Sequence, residues 1–242
     1  MKTLSADTVL LKKKFYPVIH SIDPFRQNGI NHALQNTRIA IENGADGVFL
    51  IGHRMRFTQL TYLYDHVRKQ FPDTWIGINF LDLGARKIWA GLEAVAKRCV
   101  NVNALWIDTL PEYRLNIPPK IQIFGGVAFK YIDPNLSGDA LATACIEARR
   151  CVDVATTSGE ETGSPPSIQK LATIRAALRG GMPVAVASGV SEENVSTLLP
   201  YVDMFLVASS ICEKKCIDGQ VLDVLIPEKT RTLAGLIHQK SE

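Results

Sequence analysis

Residues 184–194 read VAVASGVSEEN, an apolar run that breaks at a glycine and leads directly into the start of a helix. Ser191 is a suitable N-cap, and the carboxylates of Glu192 and Glu193 favour the positive end of a helix dipole. Gly189 lets the backbone of the turn approach a ligand closely. The stretch therefore predicts a strand, a tight turn and a helix. Free N–H groups in such a turn suit phosphate, although βα turns also occur without a ligand.

Eight short apolar runs recur along the chain, and helical patterns separate most of them. The runs cover residues 16–19, 47–51, 75–80, 104–107, 121–127, 151–155, 183–187 and 204–207. The helical patterns cover residues 29–43, 56–71, 84–98, 137–150, 167–179, 191–199 and 227–239. This alternation indicates parallel strands buried on both faces, and it predicts an α/β protein with a (β/α)8 TIM barrel. A doubly wound open sheet would alternate similarly, but eight strands and a terminal helix favour the barrel.

The fourth βα unit of this barrel is degenerate. Pro111, Pro118 and Pro119 leave no room for a full helix before the fifth strand, so a loop or a single turn is predicted there. The chain has 242 residues, of which 46% are hydrophobic, and this is enough for one large core. We expect residues 1–242 to form a single domain.

Composition argues against several classes of protein. The net charge of +3 is small and evenly spread, so we expect no nucleic-acid partner. No segment approaches 18 uninterrupted apolar residues, and no secretory signal pattern is present, so a cytoplasmic protein without membrane insertion is expected. The cysteines number five at scattered spacings, which favours reduced thiols. Cys212 and Cys216 are interpreted as two thiols in a loop.

Ligands in a barrel of this kind meet the loops at the C-terminal ends of the strands, so the residues after each run are the candidates for a site. The candidate catalytic residues are Lys130, Asp108, His20 and Asn79. The candidate phosphate-binding residues are Ser188, Gly189, Val190, Ser209 and Ser210. The candidate substrate loop contributes Thr157, Ser158, Gly159, Glu160, Thr162 and Gly163.

Each catalytic candidate has a structural alternative. Lys130 suits an anion contact, carbonyl polarisation or a Schiff base, or else it extends to solvent. Asp108 suits a general base, or a buried ion pair with Lys130. His20 and His53 suit acid–base chemistry or structural hydrogen bonds. The hydroxyl-rich segment 156–163 is either a specificity loop or a flexible connection.

A metal site is not predicted from these residues. His20, His53, Asp23 and Asp108 follow barrel strands, but their spacing forms no recognised ligand motif. No cofactor is therefore expected.

Three stretches of the sequence resemble the BtpA family, which includes the SgcQ-type proteins. They are ATTSG with TGSPP (residues 155–159 and 162–166), ASGVSEEN (187–194) and IDGQV (217–221). The resemblance is good over residues 121–236, where Lys130 also falls on a lysine-bearing family strand. It implies a phosphate-binding (β/α)8 barrel.

Two departures from the family pattern concern the mouth of the barrel. The stretch GHRMR (52–56) replaces an acidic loop after the second strand, and a long insert between strands four and five is absent. Because the candidate phosphate-binding residues follow strands seven and eight, we expect an enzyme acting on a small phosphorylated sugar or nucleoside, of isomerase, lyase or nucleosidase type. The alternative is a non-catalytic ligand-binding or assembly protein that keeps the phosphate cradle. Self-association into a homo-oligomer is left open.

Overall fold

The computed structural model describes residues 12–53, 55–81, 85–178 and 181–239, without the side chains of residues 85–88. Parallel strands close into a barrel in chain order, each pairing with the next and the eighth pairing with the first. They are β1 (Lys14–Ser21), β2 (Val48–Gly52), β3 (Ile76–Phe80), β4 (Ala104–Ile107), β5 (Gln122–Gly126), β6 (Val154–Thr157), β7 (Val184–Val186) and β8 (Met204–Val207). The predicted (β/α)8 TIM barrel is confirmed.

Helices follow most of the strands. They are α1 (Gly29–Glu42), α2 (Phe57–Gln70), α3 (Ala85–Arg98), α4 (Gly138–Cys151), α5 (Ile168–Leu178), α6 (Val195–Leu198) and α7 (Pro227–His238). The predicted helix ends Gly84 and Arg179 lie outside the described residues. Residues 108–121, all of which the structure describes, contain no helix, which confirms the degenerate fourth unit. None of the described helices is both long and apolar enough to cross a membrane.

The helix predicted over residues 191–199 is a single turn, and Ser191 does not act as its N-cap. The side chain of Asn194 instead closes a loop after β7. Its amide donates to the carbonyl of Gly189 at 2.7 Å, and its Oδ1 accepts from the N–H of Ser191 at 3.0 Å. These two bonds hold residues 189–194 in a loop, and the helix begins only at Val195.

The interpretation of Cys212 and Cys216 as thiols in a loop is wrong, because both lie on a strand. The strands β9 (Cys212–Ile217) and β10 (Gln220–Leu225) form an antiparallel hairpin between β8 and α7. Asp218 and Gly219 take φ of 49° and 76° at its turn, as a type I′ turn requires. The hairpin is anchored on α1, where Leu225 N–H donates to Asn36 Oδ1 at 2.7 Å.

Aromatic rings fill the interior of the barrel. Phe49 lies among them, with Tyr16, Trp75, Trp106 and Phe124 packed edge-on around its ring. Gly77 makes room for that ring, because a Cβ at position 77 would lie 2.2 Å from it. This close approach explains why a glycine interrupts an otherwise apolar strand.

One hydrogen-bonding device repeats at the N-terminal end of the barrel, and we name it the Asx staple. An Asp or Asn just before each even-numbered strand accepts, through its side chain, the N–H of a residue at the start of the preceding odd-numbered strand. The same residue returns its own N–H to the carbonyl of that partner. The four pairs are Asp46 with Phe15, Asn103 with Ile76, Asp153 with Ile123 and Asp203 with Val184, at side-chain distances of 2.8–2.9 Å.

A basic side chain also contacts each staple. Asp203 is the most enclosed example, since it is only 6% exposed and bonds to Arg175 at 2.7 Å and Lys13 at 3.3 Å. Asn103 occupies the same position below β4 and accepts from Arg68 at 2.9 Å. The Asx staple therefore requires an acceptor oxygen on the side chain, and the negative charge of an Asp strengthens the hydrogen bonds.

We predict that Asp203→Ala lowers the free energy of unfolding by about 3 kcal/mol, because it leaves the buried N–H of Val184 and two cations without an acceptor. Asp203→Asn keeps the acceptor, as Asn103 does, and should lose about 1 kcal/mol. Urea unfolding followed by circular dichroism measures both. Equal losses in the two variants would contradict the staple.

Candidate functional site

A cavity of about 640 Å³ opens at the C-terminal ends of the strands. Its lower wall is apolar and includes the buried side chains of Val18, Ile51, Trp106, Phe129 and Leu206. Its upper wall is polar and is built by the loops after the strands. The cavity is thus an apolar well with a hydrophilic rim, the form usual for small-molecule sites.

The five predicted phosphate-binding residues all line this cavity. Among the described residues, none accepts a hydrogen bond from the backbone N–H of Gly189, Val190, Ser209 or Ser210. The hydroxyl of Ser210 donates to the carbonyl of Val190 at 2.6 Å and so joins the loops after β7 and β8. The hydroxyl of Ser188 is used in the same way, on the carbonyl of Glu161 at 3.0 Å.

Gly189 is at the centre of this rim, and its backbone requires a glycine. Its φ is 63°, and a Cβ on it would lie 2.2 Å from the backbone nitrogen of Pro165. The loop after β6 therefore packs directly on the loop after β7. Any side chain at position 189 would push these two loops apart.

The predicted catalytic residues Lys130 and Asp108 both line the cavity. Burial lowers the pKa of Lys130, while the negative charge of Asp108 and the nearby Tyr131 act in the opposite direction. Asn79 lies beneath them, only 1% exposed and outside the cavity lining. Its amide donates to Asp108 Oδ1 at 3.1 Å, so it orients that carboxylate.

The backbone around Lys130 takes unusual conformations. Ala128, Tyr131 and Asp133 have φ of 47°, 62° and 49°, which lie in a region that residues other than glycine rarely adopt. The N–H of Lys130 donates to the hydroxyl of Ser158 at 2.7 Å. Lys130 is thereby fixed by its own loop and by the loop after β6.

His20 and His53 form a pair at the mouth of the barrel. Nδ1 of His20 lies 2.8 Å from Nε2 of His53, and a hydrogen bond there requires that one of the two nitrogens carries no proton. Burial and, to a smaller extent, the neighbouring His53 together lower the pKa of His20 to about 4. Arg54, which follows His53 in the basic loop of the sequence, lies outside the described residues.

The predicted substrate loop divides into three parts. Thr162 and Gly163 line the cavity, whereas Thr157 and Ser158 are buried and support the wall. Gly159 and Glu160 turn away and line a second cavity of about 690 Å³ beside α5. A Cβ at Gly159 would lie 2.2 Å from the carbonyl oxygen of Ser164, so the loop folds back tightly on itself.

The residues that the sequence analysis missed include Trp106 and Phe129 in the wall of the cavity and Lys170 beside the second cavity. Trp106 lines the cavity from β4 and Phe129 lines it from the loop after β5, and both look like ordinary core residues in the sequence. Lys170 on α5 donates to the carbonyls of Pro134 and Ser158 at 2.9 and 2.8 Å, and burial lowers its pKa to about 8. It ties the loops after β5 and β6 together. Trp106 could have been found from the sequence, because alternate residues of a strand face the interior of the barrel.

Of the candidate metal ligands, His20, His53 and Asp108 line one cavity and Asp23 does not. Within the part of the chain that the structure describes, no three side chains of His, Cys, Asp or Glu are grouped as metal ligands would be. His20 and His53 contact each other instead.

The BtpA family profile matches residues 107–239. The chain belongs to the BtpA family. The photosystem I biogenesis protein BtpA of Synechocystis sp. is 29% identical over 151 residues, which cover 56% of this chain and 52% of that protein. This BtpA family member thus spans about half the length of its curated relative.

Solved structures share the fold of this BtpA family member at low sequence identity. The (S)-3-O-geranylgeranylglyceryl phosphate synthase of Thermoplasma acidophilum superposes with a TM-score of 0.60, at 12% identity, over 99% of this chain and 100% of that one. The thiamine phosphate pyrophosphorylase of Pyrococcus furiosus gives 0.59, at 16% identity, over 96% and 98%. The likeness extends along the whole barrel.

We predict that His20 titrates with a pKa of about 4 and is neutral at pH 7. His53→Gln should raise this pKa, because it removes the electrostatic effect of His53 on His20, but burial should keep the pKa below 6.5. Two-dimensional ¹H–¹⁵N spectra of the imidazole nitrogens measure the titration. A wild-type His20 that titrates near 6.5 would contradict the burial of its ring.

The same shift predicts how stability depends on pH. The unfolded chain binds a proton at His20 below pH 6.5, whereas the folded protein resists it down to about pH 4. Above pH 6.5 His20 is neutral in both states, so its protonation does not lower the free energy of unfolding. As the pH falls from 6.5 to 4, the free energy of unfolding should decrease by about 3 kcal/mol. Comparing urea unfolding of the wild type and His20→Gln at both pH values isolates this contribution.

Proposed function

We propose that the barrel binds a small phosphorylated molecule at the rim of the cavity. The phosphate would accept hydrogen bonds from the N–H groups of Gly189, Val190, Ser209 and Ser210. The observation that carries this proposal is that these four groups line one cavity and donate to none of the described residues. The loops after strands seven and eight are also where TIM barrels most often bind phosphate.

The comparisons support the proposal at the level of the fold. One structural neighbour is named for thiamine phosphate, and another was solved with sn-glycerol-1-phosphate. The hydroxyl bridge from Ser210 to Val190 holds the two loops at a fixed separation before any ligand arrives. A preformed set of donors lowers the ordering cost of binding.

We predict that Ser209→Asp weakens the binding of inorganic phosphate and of ribose 5-phosphate at least about 10-fold, because it places a carboxylate beside the anion. Ser209 is exposed, so the fold should tolerate the change. Ser209→Asn has the same shape without the charge and should stay within about 3-fold of the wild type. Isothermal titration calorimetry measures the dissociation constants.

Substitution of Gly189 would be a poor test, since a Cβ there collides with the backbone of Pro165 whether or not phosphate binds. No saturable binding of phosphate or its esters to the wild type would overturn the proposal. Equal weakening by Ser209→Asp and Ser209→Asn would show that charge at this rim is irrelevant.

We further propose that the protein is an enzyme acting on a phosphorylated sugar or nucleoside. Lys130, Asp108 and His20 would contact the substrate, since each lines the same cavity as the proposed phosphate site. Lys130, with its lowered pKa, suits polarisation of a carbonyl or covalent attack on it. Asp108, oriented by Asn79, suits a general base, and a neutral His20 can accept a proton at pH 7.

We predict that Lys130→Met and Asp108→Asn each reduce turnover at least about 100-fold while binding inorganic phosphate as the wild type does. A panel of sugar phosphates, nucleosides and nucleoside monophosphates, followed by ¹H and ³¹P NMR, measures turnover. Binding by the wild type without conversion of any member would favour the alternative, a ligand-binding or assembly protein that keeps the phosphate site.

A further inference from the structure

Lys170 is a half-buried cation that the proposed chemistry does not use. It lies in the first turn of α5, where the positive end of the helix dipole disfavours a cation. Burial also disfavours its charge and lowers the pKa of Lys170 to about 8, while the carboxylate of Glu160 acts in the opposite direction. Because the dipole and burial both oppose a lysine at this position, the ammonium needs compensating contacts.

Three backbone carbonyls supply these contacts. The ammonium of Lys170 donates to the carbonyl of Ala128, to that of Pro134 at 2.9 Å and to that of Ser158 at 2.8 Å. The three donors of a lysine ammonium are thus all used. Among the described residues, no other group donates to these carbonyls. Lys170 therefore joins both ends of segment 128–134 to the loop after β6.

The backbone of segment 128–134 depends on such support. Three of its residues, the first of them Ala128 and the last Asp133, take positive φ values. Conformations of this kind persist only where surrounding contacts compensate for their cost. The ammonium of Lys170 binds the carbonyl of the first of these residues and that of the residue after the last one. Lys130 lies between the two bonded carbonyls and lines the cavity.

Ser158 connects the same ammonium to Lys130 by a second route. Ser158 is fully buried, and its hydroxyl accepts the N–H of Lys130 at 2.7 Å. Its carbonyl accepts from the ammonium of Lys170. The contacts through segment 128–134 and those through Ser158 therefore both end on the backbone of Lys130.

We propose that Lys170 is a positioning residue that acts through Lys130. Its ammonium holds segment 128–134 in the path that presents the side chain of Lys130 at a fixed distance from the proposed phosphate site. Lys170 does not line the cavity that contains this site, so it does not touch the ligand itself. The inference rests on the proposed contact between Lys130 and a phosphorylated ligand.

Trapping with phosphorylated aldehydes at pH 7 tests this positioning. An aldehyde condenses with the amine of Lys130, water leaves, and cyanoborohydride delivers the hydride that reduces the imine to a stable secondary amine. Glycolaldehyde phosphate and ribose 5-phosphate are compared with glycolaldehyde and ribose. Peptide mass spectrometry measures labelling of Lys130 relative to the exposed Lys97. At least one phosphorylated aldehyde should label wild-type Lys130 about 10-fold faster, or more, than its unphosphorylated counterpart.

Substitution of Lys170 should remove this preference. Lys170→Met should reduce it to less than about 3-fold, because Lys130 is no longer held at the required distance from the bound phosphate. Lys170→Arg keeps a cation with several N–H donors, and the cavity beside α5 gives it room, so it should restore about half of the preference or more. Inorganic phosphate should bind both variants within about 3-fold of the wild type, since its proposed donors follow β7 and β8.

Arg68→Met is the matched control. Arg68 on α2 also ties backbone together, since its guanidinium donates to four backbone carbonyls near the starts of β3 and β4. It lines neither of the two cavities. Arg68→Met should therefore lower stability but keep the wild-type preference for the phosphorylated aldehyde.

Amide hydrogen exchange at pH 7 provides a readout that needs no ligand. The N–H of Lys130 is bonded to Ser158, and in Lys170→Met it should exchange about 10-fold faster, or more, than in the wild type. Arg68→Met should leave this rate close to that of the wild type. Lys170→Gln keeps two N–H donors without the charge and should give an intermediate rate, which extends the test where Lys170→Met does not fold.

The outcomes separate this inference from the proposed function. Wild-type exchange of the Lys130 amide in Lys170→Met, or an equal acceleration in Arg68→Met, would refute the role of Lys170 and leave the phosphate site standing. If inorganic phosphate binds but no phosphorylated aldehyde labels Lys130 faster than its counterpart, the proposed contact of Lys130 with the ligand is refuted, and this inference with it. Failure of inorganic phosphate to bind the wild type would refute the proposed function itself.

Discussion

The Asx staples below the even-numbered strands are the constraint on which the rest of this barrel depends. Each staple fixes the register of one strand pair through two reciprocal hydrogen bonds, and the four pairs then close on one another. A register slip of one residue would turn every inward side chain outward. The staples therefore determine which side chains reach the C-terminal mouth, although they lie at the opposite end of the strands.

The sequence predicts the barrel because its strands are buried on both faces, which produces continuous apolar runs, and Pro111, Pro118 and Pro119 mark the missing helix. Two features escape this reasoning. The helix expected from Ser191 begins only at Val195, after a loop that the side chain of Asn194 closes through local hydrogen bonds. The β9–β10 hairpin depends on the turn residues Asp218 and Gly219 and not on hydrophobic period.

The sequence predicts which strand ends meet at the candidate site, because the order of the strands in the barrel brings those ends together. Lys130, Asp108, His20 and the residues after β7 and β8 reach one cavity for that reason. The paths of the loops decide which of the loop residues face this cavity. Gly159 and Glu160 face a second cavity because the loop after β6 folds back on itself, and no periodicity encodes such a path. Trp106 was missed because an inward tryptophan on a strand resembles core.

The loop after β6 joins the two halves of the candidate site, although only part of it touches the cavity. Ser158 accepts the N–H of Lys130, and Pro165 packs against the backbone of Gly189. The ammonium of Lys170 draws the loops after β5 and β6 together through backbone carbonyls. Because one segment supports both Lys130 and the turn at Gly189, a displacement of this loop would alter the distance between them. The hydroxyls and glycines of this loop therefore hold Lys130 at a fixed distance from the turn at Gly189.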